Sequence, residues 1–207
     1  HFPGALKPKG DLFEARNFVG ATFEDQKAAS DKAGNYVPDV EHCPSAVAAA
    51  NGGKGSFVPT WRAMQALVKT GKCRAIGLSN FDREHIEELL PYAGHDDVPI
   101  SSNQFEAHPY FRRNELVEFL HKNYILPAAH SPFAPKKWRS ENGEVIGDPF
   151  MPKGTLLLED PVVKGVARRN GMDVGQVLQS WAVQRGTIPL GKSQTKHRIV
   201  SNLAIRK

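Results

Sequence analysis

A chain of 207 residues is long enough to enclose a sizeable core as one domain. Hydrophobic residues at 40%, charged residues at 24% and a mean hydropathy of -0.42 match ordinary soluble usage, and no run approaches the roughly 20 apolar residues of a membrane helix. The net charge of +5 suits an anionic partner, a role that a nucleotide fills as well as a nucleic acid.

His1, Phe2 and Pro3 show neither the charged region nor the apolar stretch of a signal peptide, and no initiator methionine is present. The chain is therefore expected to begin inside a longer reading frame or to be a processed piece. From Gly10 to Phe57 the sequence is rich in Gly, Ala, Asp and Lys and keeps neither a helical nor a strand period, which predicts a long surface loop inserted in one domain spanning 1–207. Cys43 and Cys73 form no disulfide framework and no CxxC pair, so a reducing, cytoplasmic setting is favoured.

Regular patterning then begins. In PTWRAMQALVKTG, Trp61, Met64, Leu67 and Val68 share a helical face, with Pro59 suited to the first turn and Gly71 to the C-terminal cap. CRAIGLSN reads as a buried strand. Asp82 can cap a helix whose stripe is Ile86, Leu89 and Leu90, ended by Pro91. VPISSNQ is a second strand; Leu116, Phe119 and Leu120 mark a helix; YILPAA is a third strand despite Pro127. Residues 133–155, punctuated by Pro135, Pro149 and Pro152, predict a loop. Two helices follow, one through Val162, Val163, Val166 and Ala167 to Gly171, the other after Asp173 through Val174, Val177, Leu178 and Trp181. TIPL is a last strand and TKHRIVSNLA a last helix. Alternating strands and helices predict an α/β fold with a parallel, helix-covered sheet.

In parallel barrels the working residues stand where a strand passes into the next loop. Polar pairs recur at those places here: Ser79 and Asn80, Asn103 and Gln104, His130 and Ser131, Lys192 and Ser193. Against these, Lys136, Lys137, Trp138 and Arg139 form a short, isolated basic cluster that reads as a solvated loop, not a nucleic-acid surface. His42 and Cys43 lack a second ligand pair at finger-like spacing, so no metal is expected. His108, His121 and His197 read as surface or helix-capping residues, and Met64 and Trp181 as packing.

GKCRAIGLSNF, SNQFEAHPYFRRNEL, AHSPF, LLLEDPVVKGVARRNG and IPLGKSQTKHRI resemble successive signature segments of the aldo-keto reductases, in the family's order, and HFPGALKP resembles its fourth strand end. The resemblance implies an eight-stranded (β/α) TIM barrel whose first three strands are absent from this chain. It also implies NADPH as cofactor and transfer of a hydride between that cofactor and a small-molecule carbonyl or alcohol. On the family's pattern, Asn80 and Gln104 clip the nicotinamide carboxamide with Ser79 beside them. His130, with Ser131 and Phe133 next to it in AHSPF, stands where the family stacks a tyrosine on the nicotinamide. Lys192 and Ser193 fall in a KS motif, Arg198 where an arginine holds the 2′-phosphate, and Asn202 where an asparagine meets the adenine end. Ser201 replaces a glutamate there.

His1 matches the tetrad histidine, so the resemblance places the tetrad Asp, Tyr and Lys ahead of residue 1. Asp31 and Tyr36 mimic the family's Asp and Tyr in spacing but follow the histidine instead of preceding it. The isolated chain is accordingly expected to bind NADPH weakly if at all and to reduce no aldehyde. An arc of about five strands leaves edges and an apolar face exposed, so the missing N-terminal barrel segment or another chain is expected as partner. The rival expectation is a catalytically dead relative kept as a scaffold or binding protein.

Overall fold

A computed structural model describes residues 56–94, 97–134, 138–139, 145–146 and 156–205. The expectations for His1, Asp31, Tyr36, His42, Cys43, Lys136 and Lys137, and for most of the 10–57 loop, lie outside these residues. The chain divides into two compact units, the first holding residues 56–76 and 84–99 of the described chain, the second 77–83 and 100–205.

In the first unit, helix α1 (Val58–Lys69) starts with proline in its first turn and closes at Thr70, after which Gly71 takes φ +75°. That left-handed conformation is cheap for glycine and satisfies the last carbonyls of the helix. The buried face runs through Trp61 and Gln65, whereas Met64 and Leu67 are 40% and 38% exposed, which corrects their expected core role. The reason is angular. At about 100° per residue, Gln65 lies about 40° from Trp61 and Leu67 about 120° to the other side. Gln65 tolerates burial because its Nε2 donates to the carbonyls of Tyr92 (2.7 Å) and Val98 (3.1 Å). Phe57, expected at the end of a loop, is buried: its amide donates to Glu88, and its ring meets His85 edge-on at 5.2 Å. In α2 (Arg83–Leu89), Ile86 and Leu89 are buried as expected, and the chain continues as a 3₁₀ turn, Leu90–Tyr92, that contains Pro91.

Among the described residues the larger sheet has four strands. β1 (Ile76–Ser79), all but its first residue in the second unit, neighbours β2 (Ile100–Glu106), and β2 pairs in parallel with β3 (Leu126–His130) from Ser102↔Leu126 to Glu106↔His130. Helix α3 (Asn114–Lys122) covers this sheet with Leu116, Val117 and Leu120, while Phe119 lies half-buried beneath the Arg83 guanidinium. The expected loop at 133–155 contains a short antiparallel ribbon, β4 (Trp138–Arg139) against β5 (Val145–Ile146). Helices α4 (Pro161–Asn170) and α5 (Val174–Gln184) follow, and then β6 (Ile188–Pro189) pairs in parallel with β3. Helix α6 (Lys196–Ser201) comes last. Val162, expected in the apolar stripe of α4, is 72% exposed; the buried residue of that helix is Ala167.

Both α4 and α5 start at capping aspartates, Asp173 as expected and Asp160, which was not singled out in the sequence. Asp173 forms a capping box with Gln176, and Asp160 accepts from the amides of Val162 (2.8 Å) and Val163 (3.0 Å). Asp160 is 6% exposed and also accepts from the Tyr110 hydroxyl at 2.6 Å. The Tyr110 hydroxyl and then the Val163 amide hold its carboxyl below the ordinary range, against the opposing effect of burial. Asp160→Ala is expected to lose about 2 kcal/mol in urea denaturation at neutral pH. Because the folded state depresses this pKa, the stabilisation is present above the ordinary carboxylate range and is lost as pH falls through the folded value. The gap between wild type and variant therefore narrows below about pH 4.

Candidate functional site

Polar residues at the C-terminal ends of β1, β2 and β3 form one group. Asn80 adopts φ +57°, and its amide donates to the Gln104 carbonyl at 2.7 Å. The turn is gripped by Asn103, wholly buried, whose Nδ2 donates to the Phe81 carbonyl (2.9 Å) and whose Oδ1 accepts from the Phe81 amide (3.4 Å). Strand alternation puts Asn103 and Phe105 on one face of β2 and leaves Ser102, Gln104 and Glu106 half-buried on the other. The sequence therefore paired Asn103 with Gln104, but the two side chains do different things.

His130 ends β3. Its Nε2 lies 3.2 Å from Asn80 Oδ1 and its Nδ1 3.1 Å from Ser131 Oγ. An amide oxygen only accepts, so the neutral ring carries its proton on Nε2 and Nδ1 accepts from the serine. Burial pushes the imidazole below its ordinary range, and the nearby Glu106 carboxylate partly opposes that. Glu106 also faces His108 at 3.4 Å. His108, expected as a surface or helix-capping residue, is fully buried, with its ring tilted against Phe111. Ser79 Oγ is buried and has no hydrogen-bond partner among the described residues.

A second group lines a cleft of about 600 Å³: Phe133, Leu156 to Glu159, Asp173 to Gly175, Lys192, Ser193, His197, Arg198, Ser201 and Asn202. It thus gathers five of the expected site residues, namely Phe133, Lys192, Ser193, Arg198 and Asn202. Ser193 Oγ accepts from the Thr195 amide at 3.1 Å, shaping the turn into α6. Helix α5 holds α6 in place through Gln176 Nε2 to the Ser201 carbonyl (3.4 Å) and Gln179 Nε2 to the Asn202 carbonyl (3.2 Å). Before Lys192 the backbone runs so close to its neighbours that a Cβ on Gly191 would lie 2.8 Å from Gln179 Oε1 and 3.1 Å from Phe133.

Sequence reasoning missed three contributors to this cleft. Asp173, read only as a helix cap, also accepts from the Ser201 hydroxyl, so a carboxylate stands beside Ser201 in the cleft. His197, read as a surface or helix-capping residue, is exposed and also lines the cleft beside Arg198, and Gly175 opens its wall. The only signal for Asp173 was indirect, a serine with no carboxylate near it in sequence. Among the described residues no group of three His, Cys, Asp or Glu could hold a metal, and no helix is long and apolar enough to cross a membrane.

The sequence profile of the aldo/keto reductase family matches residues 36–207. The chain belongs to the aldo/keto reductase family. It is 38% identical to glycerol 2-dehydrogenase (NADP(+)) of Hypocrea jecorina, over 71% of this chain and 42% of that protein. Aldehyde reductase YPR1 of Saccharomyces cerevisiae is 37% identical over 72% of this chain and 42% of its own length. An aldo/keto reductase crystal structure from Brucella melitensis superposes with a TM-score of 0.57 at 33% identity, covering 72% of this chain and 48% of that one. The chain spans less than half the length of these family members. Its four-stranded sheet is accordingly part of the family's (β/α)8 barrel, in which catalytic groups sit at the C-terminal ends of strands.

Proposed function

We propose that this chain forms the NADP-holding part of an oxidoreductase that interconverts a small-molecule carbonyl and an alcohol. The observation that carries the reading is the cleft in which Lys192, Ser193 and Arg198 stand together at the start of α6. A guanidinium fork and an ammonium beside a hydroxyl suit a dianionic phosphate, the feature that separates NADP from NAD. The residues at the strand ends fit the other end of the dinucleotide. Buried Ser79 Oγ offers a hydrogen bond to a carboxamide, and the amides of Asn80 and Gln104 offer donors and acceptors together. His130 provides a flat ring beside Asn80, Phe133 an apolar wall of the cleft, and Asn202 with Asp173 polar groups for the adenine end.

When bound, the cofactor supplies or takes up the hydride; this chain's residues hold its two ends and fix the amides around its ring. The proton at the substrate oxygen is assigned to the tetrad, of which His1 is the candidate member in this sequence. The relatives' names, a glycerol dehydrogenase and an aldehyde reductase, support a carbonyl or alcohol substrate. The remaining barrel strands, from a longer protein or from another chain, are the proposed partner of the open sheet.

The test is Arg198→Ala, titrated with NADPH and NADH by nicotinamide fluorescence. A lost charge-assisted contact corresponds to roughly tenfold to hundredfold weaker NADPH binding, with NADH changed by about twofold or less. Equal weakening of both would overturn the phosphate assignment, and failure of either nucleotide to bind the wild-type chain even when it is completed by its remaining barrel strands would overturn the whole reading.

A further inference from the structure

We infer that His130 selects between the two redox states of the nicotinamide, admitting both when its ring is neutral and disfavouring the cationic, oxidised form when its ring is protonated. The inference rests on the reading of Asn80 and Gln104 as the carboxamide clip and adds a specificity role that the clip does not itself supply. Its physical basis is a ring whose position is fixed while its charge is free to change.

Position is fixed from both sides. Nε2–H donates to Asn80 Oδ1 at 3.2 Å, in the protonated ring as in the neutral one. Nδ1 faces Ser131 Oγ at 3.1 Å, and a hydroxyl serves either state, donating to the neutral nitrogen and accepting from the protonated one. Protonation therefore requires a rotation of one hydroxyl hydrogen and no movement of the imidazole. The backbone holds the arrangement further, since His130 pairs with Glu106 in the β2–β3 register and Ser131 turns the chain away at φ +50°.

The surroundings permit the charge. From β2 the Glu106 carboxylate acts on the ring, with His108 at 3.4 Å behind that carboxylate. The end of β1 brings neutral Asn80, and β6 places Ile188 and Pro189, both uncharged, beside Ala128 and Ala129 of β3. Burial holds the half-buried ring below the ordinary imidazole range, with Glu106 opposing, so it is neutral at and above neutral pH and takes up its proton only as the solution becomes more acidic. An imidazolium beside the site meets a positive ring in the oxidised cofactor and a neutral one in the reduced cofactor. Coulomb repulsion thus falls on one redox state only.

The measurement is the ratio of Kd for NADP⁺ to Kd for NADPH, obtained by calorimetry with the whole chain between about pH 8 and about pH 5. The 2′-phosphate titrates near pH 6 in both forms and cancels in the ratio. The ratio is expected to be constant above about pH 7 and to rise as the pH is lowered, by up to about tenfold for one unit of difference between the ring's pKa in the two complexes. His130→Phe and His130→Tyr, which keep a flat ring without the charge, should hold the ratio level across that range. Glu106→Gln, which removes the carboxylate that favours the imidazolium, should move the rise to lower pH. A level ratio in the wild-type chain, or a rise that persists in His130→Phe, overturns the inference while leaving the cofactor reading intact. Absence of binding by either nucleotide at every pH, also when the chain is completed by its remaining barrel strands, overturns the cofactor reading and this inference with it.

Discussion

Gly77→Ala is expected to cost about 3 kcal/mol in denaturant unfolding, far more than one added methyl normally does on a half-open strand. A Cβ at position 77 would lie 2.5 Å from Ser102 Oγ and 2.8 Å from the Ser102 carbonyl oxygen. The hydroxyl can rotate away, but the carbonyl belongs to the backbone of β2 and cannot move without separating the two strands. Ser102→Ala placed on top of Gly77→Ala should therefore recover little of the loss. Gly94, whose Cβ would meet nothing within 4 Å, supplies the control: Gly94→Ala should change stability by about 0.5 kcal/mol or less. Equal effects at the two glycines would show that backbone freedom, not the approach of β1 to β2, governs position 77. Because Ser79 and Asn80 follow two and three residues later, the same substitution should also weaken nucleotide binding.

Much of the second unit was legible in the sequence because its signals are local. Strand-length apolar runs, an aspartate just ahead of a helix and glycines at helix ends each act within a few residues. So the cap at Asp173, the left-handed Gly171 and the order of strands followed from the text of the chain. The residues that line the cleft were legible for another reason, since Lys192, Ser193, Arg198 and Asn202 lie within eleven positions on one turn and one short helix. What escaped depends on partners far away in sequence. Gln65 is buried because Tyr92 and Val98 present carbonyls to it, and nothing near residue 65 announces those acceptors. His108 is buried beside Glu106, although a histidine next to a proline in a polar stretch reads as surface. Asp173 and Ser201 stand 28 residues apart and meet only because α5 and α6 pack together.

Asn103 offers the sharpest test of how the strand ends are held, because no hydrophobic or charged substitute can do what its amide does. Asn103→Ala removes the donor to the Phe81 carbonyl and the acceptor for the Phe81 amide at a site with no exposure, which should cost about 3 kcal/mol. Asn103→Asp separates the two halves of that loss. An aspartate keeps the acceptor, but its carboxylate would face the Phe81 carbonyl across the 2.9 Å now bridged by an N–H. That repulsion and complete burial disfavour the charged form, so the folded-state pKa of the introduced group rises above its unfolded value. The variant's deficit should be greatest at neutral pH and should shrink as acid protonates the side chain, which can then donate to Phe81 as the amide did. Asn80 lies next to Phe81 in the same turn, so NADPH binding by the aspartate variant should recover over the same pH window, relative to wild type. A deficit that stays level with pH would mean that Asn103 acts by its size alone, and that the Asn80 turn is held by something other than this amide.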